Sequence, residues 1–337
     1  MRTLFPRLRS LLLLLTLLTG CGQALPTPEV PQASASQAQQ AVYTTPVTPS
    51  TKASLEKETE LLPTTPAAPL EGPKTVASGT LVKKNGKAVI DYSNTKDGYV
   101  MVQYTAQTSK RLKAQVKGPT TTTYTYNLKQ GQWTVFPLSD GNGSYQGSVF
   151  QNVSGTRYTN ELSQSFKVEL TDEFAPFLRP NQYVDYSNAV NTLAKTKELT
   201  KGITDPLKQV AAIYDYVVKN LSYDYQKAST VKSGYLPVLD TVLAEKKGIC
   251  FDYAALMAGM VRSLGIPCKL VVGYAGSAYH AWISIWTAES GWVDNVIFFD
   301  GTSWQRMDPT FASSGKQSAS IMAYIGDGKN YTTKYLY

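Results

Sequence analysis

The amino-acid sequence predicts an α+β fold in which an all-β sandwich domain precedes a domain of mixed helices and strands. Short runs of alternating apolar and polar residues, separated by turn signals, fill residues 76–170. Apolar residues at helical spacing follow near 205–220 and again from 250 to 264. Strand patterns then return after residue 268. This order of elements indicates two domains, at 76–175 and 176–337.

Histidine and cysteine are the rarest reactive residues of the chain. The 337 residues include one histidine, His280, and three cysteines, Cys21, Cys250 and Cys268. These numbers exclude a His-rich metal site and a zinc site of four thiolates. The sequence therefore predicts no metal and no cofactor, and any histidine-dependent catalysis must use His280.

The N-terminus has the features of an export signal. Three arginines within residues 1–20 precede an apolar run, Leu11–Leu18, that is too short to span a bilayer. The run ends in Leu18-Thr19-Gly20-Cys21, which resembles the lipobox of bacterial lipoproteins. That resemblance implies cleavage before Cys21 and lipidation of its thiol. Ordinary signal cleavage near Gly20 is the alternative, and both interpretations export the protein.

A proline-rich segment follows the signal and is predicted to be an extended tether over residues 21–75. It holds nine of the 18 prolines, mixed with Thr, Ser, Ala and Gln.

The formal net charge of the whole chain is +8, and loss of the three signal arginines leaves 30 basic and 25 acidic residues, or +5. Because no long run of Lys and Arg occurs, a nucleic-acid partner is not expected.

The segment 76–170 reads as an antiparallel sandwich. Alternation is clear in Val100/Val102/Tyr104, and turn signals such as Asn85-Gly86 and Ser154-Gly155 separate the strands. Its tyrosines fit either a packed sandwich or a carbohydrate-binding surface, and packing is the more common role.

One segment of this region is similar to the start of a calcium loop: Asp140-Gly141-Asn142-Gly143-Ser144. Tyr145 and Gln151 occupy positions that an EF-hand gives to Gly and Glu, so we interpret it as a hairpin loop.

Two helices are predicted in the second domain. Asp205-Pro206 is a helix-start signal before the apolar stripe of residues 210–217, and a Gly/Pro-containing loop is expected from 225 to 248. The second helix begins at Cys250 and ends before Gly265 and Pro267. Its apolar positions fall on one face: Tyr253, Leu256, Met257, Met260, Val261 and Leu264. A cysteine at a helix N-terminus is favoured as a thiolate, and Gly248 would allow a substrate to approach the backbone.

The strands predicted after the second helix contain the other candidate catalytic residues, a histidine and a carboxylate. The pattern predicts strands at 269–274 and 279–286, with His280 on the face opposite the aliphatic residues. Further strands are expected near 292–299 and 303–307, and Asp308 closes the last one. A thiol on a helix, an imidazole on a strand and a carboxylate at a strand end together form a catalytic triad. Asp294 and Asp300 remain alternatives for the carboxylate.

Cys250 and Cys268 could instead form a disulfide in an oxidising compartment. A helix over residues 250–264 would separate its two ends by roughly 20 Å. A disulfide needs Cα atoms within about 7 Å, so the geometry opposes this pairing. We therefore expect Cys268 to be a small buried apolar residue.

Several blocks in this region resemble the core of the transglutaminase-like superfamily. They are Gly248-Ile249-Cys250-Phe251-Asp252-Tyr253-Ala254, Arg262-Ser263-Leu264-Gly265-Ile266-Pro267, Gly273-Tyr274, His280-Ala281-Trp282 and Trp304…Asp308-Pro309-Thr310. The resemblance covers residues 205–312. It implies a papain-like fold and thiol-dependent cleavage or transfer of amide bonds. It also implies Cys250 as nucleophile, His280 as base and Asp308 as the residue that orients His280, and it leaves the second oxyanion donor unplaced.

Together these features predict a lipid-anchored enzyme on the outer face of a bacterial membrane. Its expected partners are a protein or peptide substrate at the cell surface and the membrane that holds the anchor. Hydrolysis and transfer to an amine share the same acyl-enzyme, so the sequence leaves both open. The alternative from another class is a non-catalytic envelope module, on the same fold, that binds protein or glycan.

Overall fold

The computed structural model describes residues 23–24, 72–275, 277–288, 291–293, 298–299, 304–305 and 331–337. The predicted signal, Cys21 and almost all of the tether lie outside these residues, as do Asp294, Asp300 and Asp308. No helix within the described ranges is long and apolar enough to cross a membrane.

Within the described residues, the N-terminal part consists of nine antiparallel strands in two sheets. The strands are β1 (Gln23–Ala24), β2 (Val82–Lys84), β3 (Ala88–Asp91), β4 (Tyr99–Tyr104), β5 (Leu112–Lys117), β6 (Thr123–Leu128), β7 (Thr134–Pro137), β8 (Gly143–Ser154) and β9 (Arg157–Val168). One sheet has the order β1-β9-β8-β5-β6 and the other β2-β3-β4-β7. Tight turns at Asn85-Gly86 and Ser154-Gly155 join neighbouring strands, as the sequence predicts.

The sandwich core is rich in tyrosine. Tyr104, Tyr126 and Tyr158 are almost completely buried, and Tyr124 and Tyr145 nearly so. Four of these rings belong to the main core, whereas Tyr158 packs with Phe150 in a separate small cluster, so the packing interpretation is confirmed for all five positions. Burying so many phenol rings supplies a large apolar area, and the hydroxyls of Tyr104, Tyr124 and Tyr145 each donate a hydrogen bond. The hydroxyl of Tyr124, for example, donates to the Asp140 carboxylate at 2.8 Å.

The interpretation of residues 140–144 as a hairpin loop is wrong. The loop joins β7 to β8, and these strands belong to different sheets, so it is a connection across the sandwich. Asp140 accepts from Thr120 Oγ1 at 2.6 Å as well as from Tyr124. The carboxylate is therefore used to close one end of the sandwich. The local sequence could not show this because turn residues look alike in both kinds of loop.

In the part of the chain that the structure describes, five α-helices follow the sandwich. They are α1 (Val190–Leu199), α2 (Pro206–Asn220), α3 (Tyr225–Thr230), α4 (Leu239–Glu245) and α5 (Cys250–Ser263). The start of α2 is as predicted, since the Asp205 carboxylate accepts from the N–H groups of Leu207 and Lys208 at 2.8 and 3.0 Å. Its predicted apolar stripe is fully buried.

The predicted loop over 225–248 instead contains α3 and α4. Both helices are one to two turns long, too short to show a convincing helical period. Asp224 caps α3 by accepting from Lys227 N–H at 2.9 Å. Leu239, Val242 and Leu243 bury one face of α4 against α5. Tertiary packing rather than local propensity therefore forms these helices.

Helix α5 is buried on all sides, whereas the sequence predicts one apolar face. It packs against α1, α2 and α4 and against two strands of the next sheet. Polar positions are buried as well, and Arg262 shows how they are accommodated. Its guanidinium donates to the carbonyl oxygens of Cys268 at 2.8 Å, Arg179 at 2.8 Å and Tyr337 at 2.5 Å. A buried cation with this set of main-chain acceptors has its hydrogen-bonding capacity met inside the protein.

The remaining strands form a four-stranded antiparallel sheet and two small pairings. The strands are β10 (Ser222–Tyr223), β11 (Lys247–Gly248), β12 (Cys268–Ala275), β13 (Ala278–Thr287), β14 (Gly291–Val293), β15 (Phe298–Phe299), β16 (Trp304–Gln305) and β17 (Tyr331–Leu336). The sheet order is β14-β13-β12-β17, while β10 pairs with β11 and β15 with β16. The predicted strands at 269–274 and 279–286 are confirmed as β12 and β13.

Aromatic residues join the sandwich to the helical part. The rings of Tyr183 and Tyr337 stack with centroids 4.0 Å apart. Tyr126 of the sandwich and Phe251 of α5 each lie 5.7 Å from the Tyr183 ring. The buried apolar residues of both parts form one continuous cluster. The sandwich therefore supports the helix on which Cys250 lies.

Candidate active site

Cys250 is the first residue of α5 and is completely buried. Ile249 precedes it in an extended conformation, and Gly248 belongs to β11, which pairs in parallel with β10. The chain thus enters the helix from a short strand. As the first residue of the helix, Cys250 has no acceptor within the helix for its backbone N–H.

Asp252 organises the first turn of α5. Its buried carboxylate accepts from Ile249 N–H at 2.8 Å, from Lys227 Nζ at 2.7 Å and from the Tyr235 hydroxyl at 2.5 Å. Lys227 Nζ also lies 2.5 Å from the Tyr235 oxygen. Burial, followed by the nearby Asp252 charge, raises the pKa of Tyr235, so the phenol stays protonated and donates. This Lys227–Tyr235–Asp252 network closes around the residue that precedes Cys250.

The same region is tied to β10 and α3 by backbone bonds. Asp224 N–H donates to the Gly248 carbonyl at 2.8 Å, and the Asp224 carboxylate lies 3.3 Å from Lys247 Nζ. Hydrogen bonds to Lys227 N–H and the pairing with Lys247 lower the pKa of Asp224 against the opposing effect of desolvation. Both chain segments that flank the network are therefore fixed relative to each other.

Gly248 has a different role from the one the sequence suggests. The space beside its Cα is filled by Asp252, and a methyl group there would lie 2.5 Å from Asp252 Cβ. The expectation that this glycine admits a substrate is therefore wrong. It admits the carboxylate that caps the helix of Cys250.

His280 lies on β13, directly opposite Gly273 of β12, and is fully buried. Strand alternation places it with Trp282 and Ser284, and the His280 and Trp282 rings are 6.5 Å apart. The aliphatic residues Ala281, Ile283 and Ile285 occupy the other face, as predicted. Strand β13 packs against α5, so the strand of His280 and the helix of Cys250 are neighbours.

Cys268 begins β12 as a free, fully buried thiol. Burial raises its pKa to about 12, against a smaller opposing effect of the nearby Arg262 charge. Cys250 is also a free thiol, so the structure contains no disulfide between the two. Both are equally buried, however, and access alone does not distinguish them.

Residues 193–309 match the model of the transglutaminase-like superfamily. This segment belongs to that superfamily. It includes Cys250, His280 and Asp308, together with α5, β12 and β13. The transglutaminase-like segment therefore accounts for the helical part of the chain, whereas the sandwich lies outside the match.

Relatives match part of the chain at low identity. "Uncharacterized protein YebA" of Bacillus subtilis is 21% identical over 47% of this chain and 24% of its own length. A protein-glutamine gamma-glutamyltransferase of Pseudomonas aeruginosa is 29% identical over 30% of this chain and 17% of its own length. The chain thus spans a quarter or less of these relatives. A Cytophaga hutchinsonii crystal structure, provisionally assigned as a cysteine protease, is 14% identical, with a TM-score of 0.36 over 71% of this chain and 76% of that chain.

The predicted positions of Cys250 at the start of a helix and of His280 on a strand are confirmed as α5 and β13. The Lys227–Tyr235–Asp252 network was not predicted from the sequence. An acidic residue at the third position of a helix is a signal that could have indicated the cap. Lys227 and Tyr235 carry no comparable signal, because they come from a short helix and a loop. Among the described residues, no group of His, Cys, Asp or Glu is arranged to hold a metal ion.

Proposed function

We propose that the chain is an exported thiol enzyme that cleaves or transfers amide bonds of peptides or proteins through Cys250, His280 and Asp308. The observation that carries this proposal is the position of Cys250 at the start of a buried helix that packs on the strand of the chain's one histidine. Both residues and Asp308 fall within the transglutaminase-like segment. The Pseudomonas aeruginosa relative is a protein-glutamine gamma-glutamyltransferase, which supports amides as the substrate class.

The proposed reaction uses the thiol of Cys250, the imidazole of His280 and the carboxylate of Asp308. The Cys250 thiolate attacks the amide carbonyl carbon, and the backbone N–H of Cys250 stabilises the resulting oxyanion. The protonated His280 gives its proton to the leaving amine as the C–N bond breaks, which leaves a thioester on Cys250. A water or an amine then loses a proton to His280 and attacks the thioester. Asp308 keeps the His280 ring oriented and stabilises its charged form.

The incoming nucleophile decides between hydrolysis and transfer. Both reactions use the same thioester, so they differ only in whether water or an amine reaches it.

A non-catalytic envelope module is the second candidate function, and the complete burial of Cys250 is the observation that favours it. Turnover would require a movement that exposes the sulfur to substrate, whereas a binding module would not.

The proposal includes export of the protein, a lipid anchor in a membrane and a substrate at the cell surface. The arginine-flanked apolar run and Cys21 support export and a diacyl anchor on the outer face of a bacterial membrane. The proline-rich residues 21–75 would then separate the folded part from the membrane. A substrate at the cell surface follows from that location.

The experiment compares surface proteins of cells that carry the wild type or Cys250→Ala. New protein termini that depend on Cys250 would indicate a protease, and Cys250-dependent incorporation of a labelled primary amine would indicate transfer. Cys268→Ala serves as the matched control and should behave as wild type. Identical profiles for wild type and Cys250→Ala would contradict the catalytic proposal and support the binding module.

A further inference from the structure

A cavity of about 430 Å³ lies where the sandwich meets the helical part. It is lined by the end of β6 and residues of the segment 129–135, by residues of the segment 180–187 before α1, and by residues 236–238 before α4. Its volume falls within the range of about 300–1,000 Å³ that small-ligand sites occupy. Neither Cys250 nor His280 lines it, so the cavity is distinct from the candidate active site.

Uncharged hydrogen-bonding side chains dominate the polar part of this lining. Four of them are primary amides: Asn127, Gln132, Asn181 and Gln182. A primary amide offers both donors and an acceptor, which suits a hydroxyl group because a hydroxyl also does both. Of the described lining residues only Lys129 and Asp185 are charged, and their formal charges cancel. The lining therefore favours a neutral ligand that is rich in hydroxyl groups.

Two of the amides have nitrogens without a partner. Asn181 is 5% exposed, and its Oδ1 accepts from the N–H groups of Tyr183 at 2.9 Å and Val184 at 3.1 Å. These bonds fix which branch of the amide is the oxygen and turn the nitrogen away from that backbone. Among the described residues, neither Asn181 Nδ2 nor Gln182 Nε2 has a hydrogen-bond partner. Buried polar groups are nearly always paired, so two such donors on residues that line one cavity point to a ligand oxygen.

Trp133 adds an aromatic ring to the same cavity. It lies directly before β7 and is 40% exposed. A sugar ring carries C–H groups on its faces and hydroxyl groups around its edge, so it can contact an indole and several amides at the same time. The combination of one exposed indole with four amides is therefore suited to a saccharide.

We propose that this cavity binds a neutral saccharide, with Trp133 against a face of a sugar ring and with Asn181 and Gln182 donating to its oxygen atoms. The inference goes beyond the proposed catalysis and does not rest on it. An uncharged peptide is the competing ligand. A peptide offers its polar groups along one backbone, whereas a saccharide offers hydroxyls around each ring, which suits amides on two separate segments of the chain.

The experiment titrates the full-length protein with chitotetraose and with cellotetraose, two neutral saccharides, by isothermal titration calorimetry. Saturable binding of at least one of them is expected. Trp133→Ala removes the ring and should weaken that binding by about tenfold. Asn181→Asp keeps an oxygen for the N–H groups of Tyr183 and Val184 but removes the donor, and it should also weaken binding by about tenfold. Cys250→Ala should bind as the wild type does.

Matched controls repeat these changes away from the cavity. Tyr225→Ala removes an exposed aromatic ring from α3, and Asn160→Asp makes the same amide-to-acid change at an exposed position of β9. Neither residue lines the cavity, so both variants should bind as the wild type does. If Asn181→Asp does not fold, Gln182→Ala replaces it, because that side chain is only partly buried. Its expected loss of affinity is about two- to tenfold.

No binding of either saccharide, or binding that the variants at 133, 181 and 182 leave unchanged, would overturn the inference. Binding of N-acetyltetraalanine amide, a neutral peptide, in place of the saccharides would also overturn it and would identify a peptide site. Loss of saccharide binding in Cys250→Ala would assign the binding to the candidate active site instead. None of these results bears on whether Cys250 is a reactive thiol, which the alkylation of the two cysteines tests separately.

Discussion

Gly248 and Asp252 occupy adjoining positions that leave no room for a side chain at 248. A methyl group on Gly248 would lie 2.5 Å from Cβ and 2.9 Å from Oδ2 of Asp252. That carboxylate accepts the Ile249 N–H and so fixes the backbone immediately before Cys250. The glycine is therefore required for the cap, and the cap determines where the thiol lies.

Gly248→Ala should consequently destabilise the protein by about 1–3 kcal/mol, the usual cost of overpacking a buried site. Urea denaturation followed by circular dichroism measures the change. Gly86→Ala is the matched control, since nothing lies within 4 Å of a methyl group there. Equal stabilities of the Gly248→Ala and Gly86→Ala proteins would show that Asp252 is not constrained as described.

Lys113 should make the stability of the protein rise with pH. Burial, with a smaller contribution from Arg111, lowers its pKa from 10.5 to about 8. Between these two values the unfolded chain binds more protons than the folded chain, so the free energy of unfolding increases with pH. Lys113→Met should remove this rise and stabilise the protein at pH 7 by roughly 1–3 kcal/mol.

The control for this prediction is Lys117→Met, which removes an exposed charge from the same strand. It should preserve the pH dependence. Denaturation curves at pH 7, 8, 9 and 10 test both variants, and an unchanged rise in Lys113→Met would assign the effect to another group.

Asp308→Asn should lower turnover by about 10²- to 10⁴-fold without unfolding the protein, because it removes the group that we propose orients His280. Asp294→Asn and Asp300→Asn are the matched controls and should retain most activity. Initial rates on an amide substrate identified by the profiling experiment provide the measurement. A larger loss in either control would assign the third catalytic role to that residue.

Cys21→Ser should release the protein from membranes. The substitution removes the thiol that the lipobox-like motif would acylate, while the export signal before it stays intact. Fractionation of cells and immunoblotting of membrane and soluble fractions measure the distribution. Unchanged membrane retention would show that another segment anchors the chain.

Local signals predicted the elements with strong periodicity or clear caps. Asp205-Pro206 fixed the start of α2, and Gly265 adopts the positive φ of 77° expected after the end of α5. The alternation around His280 also gave the correct face of β13. In each case the information lies within a few neighbouring residues.

Elements and contacts that depend on residues distant in sequence could not be predicted from local patterns. α4 depends on its contacts with α5, and β17 can be predicted only if residues 331–336 are known to reach β12. The same holds for Lys227, which meets Asp252 across 25 residues of sequence. Nothing in the local pattern around either residue specifies the other, so the network appears only in the folded chain.

The proposed catalysis requires Cys250 to be a reactive thiol, and Cys268 provides an internal control. Both thiols are fully buried, and burial raises the pKa of Cys268 to about 12. The measurement is peptide-resolved alkylation of the folded protein near neutral pH, in the wild type and in His280→Ala. We expect Cys250 to be labelled at least about tenfold faster than Cys268, and His280→Ala to slow only Cys250. Equal labelling of the two cysteines, or recovery of a Cys250–Cys268 disulfide from the native protein, would contradict the proposed catalytic function.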